Sequence, residues 1–301
     1  MTTQSMLKQW NSERTSLLAG VVPRVGAVAL GRRGTLSGIR WRGDLLVTAA
    51  ECIADAERVP VVFEHGESTA EVLASDLTTD VAVLRLAASA GPLPPEVSPT
   101  ALRIGEAVAM VARDPRGPSA IWGSVRHAGA AWRSRRGGEI AQRLEFDVRF
   151  DPAFEGAAVV DMQGAIVAMA VSGPYRRVIG IPAETIEQVV AKVERHGHLP
   201  RPYLGVRLQP LWLDEPARNQ LGRSARAVPI VGGIDPGSPA AEAHLELGDL
   251  LLRADGQPVE SVSSLAQRIA GVGPGQMIAL EVLRGGKPLV VNVQLRERPR
   301  A

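Results

Sequence analysis

Few side chains in this sequence carry metal or thiol chemistry. Its 301 residues include one cysteine, Cys52, so an intramolecular disulfide and a cysteine-based zinc site are both excluded. Alanines and Ile53 lie close to Cys52, a setting typical of a buried thiol that acts as a small apolar group. His196 and His198 could hold a metal together, but a structural zinc site usually needs four ligands. His196 lies near the end of a predicted helix, where a positive charge complements the helix dipole.

Short apolar runs separated by turn residues extend from residue 21 to about residue 182. Glycine and proline number 31 and 22, which favours many turns and short strands. The runs occupy residues 25–30, 45–48, 59–63, 81–86, 107–111, 144–148 and 165–171. Strands of this length at this spacing predict a β-barrel or β-sandwich.

Two segments have the periodicity of helices. In residues 183–196 apolar side chains recur at i, i+3, i+4 and i+7, and Gly197 follows as a C-cap. Residues 3–18 have a looser stripe, formed by Met6, Leu7, Trp10 and Leu17. Such a stripe can pack on the chain's own barrel or form a contact between copies in a homo-oligomer or a larger complex.

The charge distribution excludes a basic, nucleic-acid-binding domain. Residues 201–301 carry 12 basic and 10 acidic side chains, and the preceding part carries 22 of each. Neither part has the electrostatic footprint of a nucleic-acid-binding protein. No apolar run reaches the ~18 residues of a membrane span. The first residues lack the basic-then-apolar layout of a signal peptide, which predicts a cytoplasmic location.

Five motifs follow one another in residues 201–298. They are Y-L-G-V at 203–206, V-G-G-I-D-P-G-S-P-A at 231–240, L-G-D-L-L-L at 247–252, D-G-Q-P-V at 255–259 and V-L-R-G-G-K at 282–287. Their order and spacing resemble a PDZ domain of the HtrA/Deg type over nearly the whole segment. The resemblance implies that an extended peptide adds as a strand to a sheet edge, with its C-terminal carboxylate held by loop amides.

The resemblance also implies which residues bind the peptide. They are Tyr203, Leu204, Gly205 and Val206 in the capturing loop, with Leu265 and Ile269 on a predicted helix. Gly205 allows the backbone to approach the ligand closely. The apolar members of this set can line a groove or simply belong to the core, and the sequence leaves both interpretations open.

Three segments of the first part resemble the chymotrypsin-like protease domain of the same family. They are L-V-T-A-A-E-C-I at 46–53, T-D-V-A-V-L-R at 79–85 and F-D-P-A-F-E-G-A-A-V-V at 150–160. In the family they carry the catalytic histidine, acid and serine. With the PDZ segment, the resemblance covers roughly residues 20–298 and implies a double β-barrel followed by a PDZ domain.

The sequence departs from this family at two of the three catalytic positions. Glu51 stands where the family has histidine, Glu155 stands where it has serine, and Asp80 alone matches. No serine occurs between residues 134 and 172, and His65 is a full strand away from position 51, so no shift of register restores the triad. Only Gly156 remains of the glycines in residues 153–157, and a carboxylate there opposes the stabilisation of a developing oxyanion.

Glu51, Asp80 and Glu155 are therefore expected to converge at the former active site. Three interpretations remain open. The carboxylates are spread apart and solvated; they bind a cation such as calcium, which favours several carboxylate oxygens; or they pair with arginines, either those of a partner protein or Arg113 or Arg116. Apart from that cation, no cofactor is expected.

The sequence thus predicts a mostly β chain, a chymotrypsin-like double β-barrel followed by an α+β PDZ domain. The predicted limits are 1–20 for an N-terminal helical segment, 21–182 for the barrels, 183–200 for a linker helix and 201–298 for the PDZ domain. The predicted function is that of a non-catalytic scaffold, adaptor or assembly subunit that binds C-termini or extended segments of other proteins. The alternatives are a peptidase or metal-dependent hydrolase that uses Glu51, Asp80 and Glu155, and a structural subunit whose PDZ groove is unused.

Overall fold

The computed structural model describes residues 3–31, 34–53, 56–87, 97–98, 100–134, 136–149, 151–199, 202–223 and 225–297. The chain divides into two compact units. The first comprises Met1–Ser134 and Glu139–Leu199, and the second comprises Arg135–Gly138 and Pro200–Ala301. The predicted domain limits at residues 1, 200, 201 and 298 lie outside the described residues.

The first unit begins with helix α1 (Thr3–Val21), in the place that the apolar stripe predicts. Its C-terminal part packs on the unit's own core through Leu17, Leu18 and Val21. Further up the helix, the Arg14 guanidinium stacks between the rings of Trp10 and Trp122, 4.4 and 4.2 Å from their centroids. Met6, Leu7 and Trp10 remain exposed. Packing on its own barrel therefore accounts for the second half of α1, and a contact between copies stays a prediction for the first half.

Six strands form the first closed barrel, in the order β1-β2-β3-β6-β5-β4. They are β1 (Val25–Ala29), β2 (Thr35–Arg42), β3 (Leu45–Ala49), β4 (Arg58–Phe63), β5 (Gly66–Asp76) and β6 (Val81–Leu86). The one-turn helix α2 (Ala50–Ile53) follows β3 directly. Because β3 is buried along its whole length, its end is a rigid base for that turn.

A second closed barrel has the order β11-β14-β13-β12-β7-β8. Its part of the chain comprises β7 (Ala107–Asp114), β8 (Gly117–Ala128), a separate hairpin of β9 (Trp132–Arg133) and β10 (Glu139–Ile140), then β11 (Leu144–Arg149), β12 (Ala157–Val160), β13 (Ile166–Ser172) and β14 (Arg177–Pro182). A 3-10 turn, Pro152–Phe154, precedes β12. This turn and the residues after it form the loop that resembles the family's serine loop.

Helix α3 (Ala183–His196) has the predicted limits and the predicted buried face. Gly197 ends it in the left-handed conformation, with φ 72°, and donates its N–H to the Val193 carbonyl at 2.7 Å. Arg42 fixes the helix to the first barrel by ion pairs with Glu187 at 2.7 Å and Glu194 at 2.9 Å.

The second unit is an α+β domain around one five-strand path, β16-β17-β18-β20-β21. Its strands are β15 (Pro202–Tyr203), β16 (Val206–Trp212), β17 (Ala227–Ile234), β18 (Leu250–Ala254), β19 (Gln257–Pro258), β20 (Met277–Arg284), β21 (Lys287–Gln294) and β22 (Arg296–Glu297). Its helices are α4 (Glu215–Gln220), α5 (Pro239–Glu242) and α6 (Val262–Val272). A capping box of Ser261 and Ser264 starts α6.

The predicted fold class is confirmed, since two closed six-stranded barrels precede an α+β domain. Within the described ranges, no helix combines the length and the apolar character that crossing a membrane requires.

Candidate functional site

Strand pairing in the first barrel brings two of the three predicted acids together. Strands β3 and β6 run antiparallel, with Ala49 opposite Val81. Glu51 lies two residues after the end of β3, in α2, and Asp80 lies one residue before β6. Both residues therefore lie at the same end of the barrel.

Asp80 holds the start of α2 in place. Its Oδ1 accepts the Glu51 N–H at 2.8 Å, and its carbonyl accepts the Ala50 N–H at 3.3 Å. Asp80 has φ 59°, the left-handed region that aspartate tolerates better than most residues. Asp80 therefore caps the turn that carries Glu51.

Glu155 brings the third carboxylate from the loop before β12. Both of its carboxylate oxygens accept the Ser172 N–H, at 3.3 and 3.1 Å, at the end of β13. Sequence reasoning missed Ser172 as a partner of Glu155, because nothing in its neighbours marks its amide as a donor to a residue 17 positions away. Glu155 is partly buried, whereas Glu51 is exposed.

Burial and the charges of neighbouring carboxylates raise the pKa of Asp80 and of Glu155. Burial raises the pKa of Asp80 to about 7, and the charges of Glu155 and then Glu51 add to the effect. Burial also raises the pKa of Glu155, with the charge of Glu51 adding to it and the Ser172 bonds opposing it. The structure thus brings the three carboxyl groups close enough to influence one another.

The lone cysteine lies beside this cluster. Burial, followed by the charges of Glu155, Asp80 and Glu51, raises the pKa of the Cys52 thiol to about 11. At neutral pH the thiol is therefore protonated and a poor nucleophile. It packs against the apolar core of the first unit but is half-buried, where its apolar neighbours predict a buried thiol.

The loop that carries Glu155 uses its own amides internally. The N–H of Ala153 donates to Asp151 Oδ1 at 3.0 Å. The next three N–H groups donate to carbonyls, Phe154 to Asp151 at 2.9 Å, Glu155 to Pro152 at 3.2 Å and Gly156 to Ala170 at 2.9 Å. An oxyanion hole needs amides aimed at empty space where charge develops, and these four are aimed at other acceptors.

Gly156 is fixed by close contacts as well as by conformation. It has φ 76°, and a Cβ on it would lie 2.2 Å from the Ser37 carbonyl oxygen and 2.9 Å from the Thr48 hydroxyl. The Ser37 N–H in turn donates to the Glu155 carbonyl at 2.8 Å. The loop is therefore clamped against β2, and only glycine fits at position 156.

The arginine interpretation of the acid cluster is wrong for both residues that it named. Arg113 is buried, and its Nε donates to the Val25 carbonyl at 2.9 Å. Arg116 pairs with Asp114 at 2.6 Å in its own turn. The Arg113 Nε and the Arg116 guanidinium therefore bind acceptors other than the three acids.

The cation interpretation gains no support from the geometry. Among the described residues, no group of three His, Cys, Asp or Glu side chains is arranged to hold a metal ion. The predicted pair His196 and His198 has a local role, because His198 Nδ1 hydrogen-bonds to the His196 carbonyl at 2.8 Å.

In the second unit, the predicted capturing loop adopts a tightly packed conformation. Gly205 has φ 83°, and a Cβ on it would lie 2.1 Å from the Ser238 Cβ. Its carbonyl accepts the Asp235 N–H at 2.9 Å. The Tyr203 hydroxyl donates to Asp235 Oδ2 at 2.7 Å. Tyr203 and Gly205 are thus both hydrogen-bonded to Asp235, which lies four residues before α5. Sequence reasoning missed Ser238 and Asp235, although both belong to the motif at 231–240.

The N–H groups of this loop differ from those of residues 153–156, which all donate to acceptors of the chain itself. Within the described part of the chain, the N–H groups of Leu204 and Gly205 have no hydrogen-bond acceptor. The Leu204 carbonyl points elsewhere and accepts the Ala240 N–H at 2.9 Å. Two adjacent unpaired amides can receive a carboxylate, which is the role that the resemblance implies for this loop.

The apolar residues of the predicted groove divide into two groups. Leu204 and Leu265 are buried in the core of the second unit. Val206 and Ile269 are partly buried and pack against that core from β16 and α6. Leu204 and Leu265 thus belong to the core, one of the two interpretations left open by the sequence, and groove lining stays a prediction for Val206 and Ile269.

Comparisons with known proteins match both units. Residues 36–169 match the trypsin-like peptidase domain family, and residues 202–295 match the PDZ domain family. Two curated relatives, both named probable periplasmic serine endoprotease DegP-like, come from Brucella suis and Halomonas elongata. They are 27% and 28% identical over 265 and 263 residues, which cover 84% of this chain and 50% and 54% of the relatives. The chain thus spans about half the length of the curated relatives it matches.

Solved structures agree on the fold. The HtrA-type protease AlgW with decapeptide superposes with a TM-score of 0.65 at 21% identity, over 95% of this chain and 99% of that one. The serine endoprotease from Yersinia pestis gives a TM-score of 0.65 at 24% identity, over 95% and 98%.

The relatives' names correct the predicted location. Both curated relatives are named periplasmic, so the prediction of a cytoplasmic location is wrong. That prediction rested on the lack of an apolar run of ~18 residues and on the first residues, which do not have the layout of a signal peptide. Since a trypsin-like peptidase domain and a PDZ domain follow each other on this fold, the chain belongs to the HtrA/Deg family.

Proposed function

We propose that this chain is a non-catalytic member of the HtrA/Deg family that binds protein C-termini or extended segments through its PDZ domain. In this proposal the chain acts as a scaffold, adaptor or assembly subunit in the periplasm, the compartment given in the names of its curated relatives. The relatives are named endoproteases, so the proposal separates this chain from their activity. The observation that supports it most directly is that the N–H groups of residues 153–156 all donate to acceptors of the chain itself.

Acyl transfer on this fold needs a nucleophile, a base and an oxyanion hole. A carboxylate at position 155 replaces the hydroxyl nucleophile, and one at position 51 replaces the imidazole base. Asp80 accepts the Glu51 N–H at 2.8 Å, but position 51 offers it no imidazole to orient. The amides of residues 153–156 all donate to acceptors of the chain itself. Each of the three requirements is therefore unmet by the residues present.

Peptide binding in the second unit depends on features that remain intact. The N–H groups of Leu204 and Gly205 lack acceptors within the described chain, and β16 is the outer strand of its sheet. Loop amides can hold a C-terminal carboxylate while the residues before it add as a strand to β16. Apolar residues on β16 and α6 favour a peptide with an apolar last side chain.

A pair of glycine variants tests this binding. Gly205 and Gly256 both have positive φ, 83° and 72°, but a Cβ at Gly256 would meet nothing within 4 Å. The full chain is titrated with fluorescein-labelled decapeptides that end in an apolar residue, and polarisation is measured. We expect Gly205→Ala to weaken binding more than about tenfold, since a charge-held carboxylate is worth ~1.5–3 kcal/mol. Gly256→Ala should bind as the wild type does, and amidating the peptide's C-terminus should abolish binding.

Two results would count against the proposal. Equal binding of free and amidated peptides would place recognition away from the carboxylate loop. Absence of binding for every decapeptide would favour the structural-subunit interpretation, in which the groove is unused.

One observation favours a residual hydrolase as the second candidate. The pKa of Asp80, raised to about 7, suits a general acid or base at neutral pH. This candidate predicts turnover of peptide substrates that Asp80→Asn, Glu51→Ala and Glu155→Ala each reduce by ~100-fold or more. Turnover that survives all three substitutions would come from a contaminating enzyme.

A further inference from the structure

Two arginines lie buried at one end of the first barrel. Arg24 is the last residue of a 3-10 turn, Val22–Arg24, that leads into β1, and it is 5% exposed. Arg40 lies near the end of β2 and is 2% exposed. Because a guanidinium group keeps its charge in a protein, two positive charges are held out of bulk water here.

The register of β1 and β2 places the two arginines side by side. Val25 lies opposite Ile39 in this antiparallel pair. One position further towards the start of β1 is Arg24, and its counterpart on β2 is Arg40. Burial lowers the pKa of Arg24, and the positive charge of Arg40 lowers it further. The two guanidinium groups are therefore close enough to repel each other.

Arg40 points towards the interior of the barrel. Its neighbour Ser37 faces outwards, since the Ser37 hydroxyl accepts the Arg113 N–H from β7 of the second barrel at 3.0 Å. Gly38 faces inwards, where a Cβ on it would lie 2.9 Å from the Leu46 side chain. Alternate residues of a strand share a face, so Arg40 lies on the inward face with Gly38.

Arg24 carries N–H groups that no acceptor receives. Its Nε and Nη1 are buried, and neither has a hydrogen-bond partner in the part of the chain that the structure describes. Within the same residues, Arg40 is the one charged group near enough to shift the pKa of Arg24, and it has the same sign. A buried charge without a partner is unfavourable, and arginine cannot relieve it by giving up a proton.

The acid cluster lies at the other end of the barrel and does not compensate these charges. Arg40 lies opposite Leu46, near the start of β3. Glu51 follows the end of that strand, and Asp80 lies next to it. The remaining source of negative charge for Arg24 is an ion from solution.

We propose that Arg24 and Arg40 form the binding site of a small oxyanion, a group that carries phosphate, sulfate or carboxylate oxygens. Guanidinium N–H groups bind such oxygens through charge-assisted hydrogen bonds, which are stronger than neutral ones. An anion between the two arginines also replaces their repulsion by attraction. The site is separate from the acid cluster and from the PDZ domain, and it does not depend on the proposed peptide binding.

The position of the site gives the ion a route and an effect. Val22 and Pro23, the other residues of the turn, are partly exposed, so Arg24 lies close to the surface of the unit. An ion that binds the folded barrel and not the unfolded chain stabilises the barrel, and the gain rises with the logarithm of its concentration. The stability of the first unit therefore responds to oxyanions in its surroundings.

Thermal unfolding of the full chain tests the site. Sodium chloride is replaced stepwise by sodium phosphate, sulfate or acetate at constant ionic strength, and tryptophan fluorescence is followed in a Trp212→Phe background, whose remaining tryptophans all lie in the first unit. We expect the oxyanion that fits to raise the Tm by about 3–5 °C for each tenfold increase above its dissociation constant. Phosphate and sulfate alone would assign a tetrahedral oxyanion to the site, and an equal response to acetate would assign a carboxylate group; both support the proposal.

Three variants separate this site from a general salt effect. Arg24→Leu should lose the response to oxyanions, although it unfolds at a higher temperature than the wild type in their absence, because its unpaired charge is gone. Arg40→Met should lose the response too, which keeps the test valid if Arg24→Leu does not fold. Arg58→Leu is the matched control, since Arg58 is an exposed arginine on β4 of the same barrel, and it should respond as the wild type does.

Two outcomes would overturn the proposal. One is an equal rise of Tm in the wild type, Arg24→Leu and Arg40→Met, which would show that the salts act on the whole surface. The other is a wild type whose Tm no oxyanion raises. Either outcome leaves the proposed peptide binding standing, because that binding is measured on the other unit.

Discussion

Asp80 should make the stability of the first unit depend on pH. Its pKa is about 7 in the folded chain, against about 3.9 for an aspartate in an unfolded one. Between these values the folded state holds a proton that the unfolded state has released, so the free energy of unfolding falls as pH rises. The contribution is fully present below about pH 4 and is lost by about pH 8.

The expected size follows from the two values. Three pKa units correspond to about 4 kcal/mol in total, of which about 3 kcal/mol falls between about pH 4.5 and pH 8. Asp80→Asn keeps the oxygen that accepts the Glu51 N–H and removes the ionisation. The variant should therefore match the wild type within about 1 kcal/mol at pH 4.5 and be about 3–4 kcal/mol more stable at pH 8.

Urea unfolding followed by tryptophan fluorescence measures this difference. Four of the five tryptophans lie in the first unit, so a Trp212→Phe background leaves a signal from that unit alone. Asp161→Asn is the control, because the Asp161 carboxylate caps the amides of Gln163 and Ala165 in a turn away from the cluster. If the free energy of unfolding changes with pH in the same way in the wild type and in Asp80→Asn, the Asp80 carboxyl group is not buried beside those of Glu51 and Glu155.

Three other substitutions have expected outcomes of their own. Gly156→Ala should lower the free energy of unfolding by more than about 3 kcal/mol. Gly164 also has positive φ, but no heavy atom lies nearer than 4.0 Å to a Cβ placed on it, so Gly164→Ala should lower the free energy of unfolding by about 1 kcal/mol. Equal losses in urea unfolding would contradict the close contacts between Gly156 and β2. Arg24→Leu should stabilise the first unit by about 1–3 kcal/mol in urea unfolding without an added oxyanion, because the buried Nε and Nη1 of Arg24 have no acceptor among the described residues. A lower free energy of unfolding in this variant would contradict the expectation. At about pH 8, Cys52 should react with a disulfide reagent about 100-fold more slowly than free cysteine, and Glu155→Gln should speed it up; an unchanged rate would place Glu155 away from the thiol.

Periodicity and motif order made the fold predictable. Residues 183–196 read as a helix because the apolar stripe and Gly197 mark both its face and its end, and the structure has those limits. The one-turn helix α2 and the six-residue α4 carry too few residues for a stripe, so neither was predicted. α4 depends instead on Asp214, whose side chain accepts the Ala217 N–H.

The candidate sites were predictable by position and not by geometry. The family resemblance predicted that Glu51, Asp80 and Glu155 converge, but which acceptor each amide finds depends on a loop conformation that no single residue encodes. Arg113 illustrates the difference. One of the three open interpretations paired it with the acids, whereas its Nε donates to the Val25 carbonyl. The free edge of β16 could be seen only after the register of β17 was known.

The central claim is that the trypsin-like unit does not cleave peptide bonds. Its most direct test incubates the purified full chain with a labelled unfolded protein and identifies products by mass spectrometry, beside Glu155→Ala and the double variant Glu51→His/Glu155→Ser. We expect no cleavage by any of the three, because the amides of residues 153–156 remain bound to the chain's own acceptors. Cleavage by the wild type that Glu155→Ala abolishes would contradict the account and make this chain an enzyme.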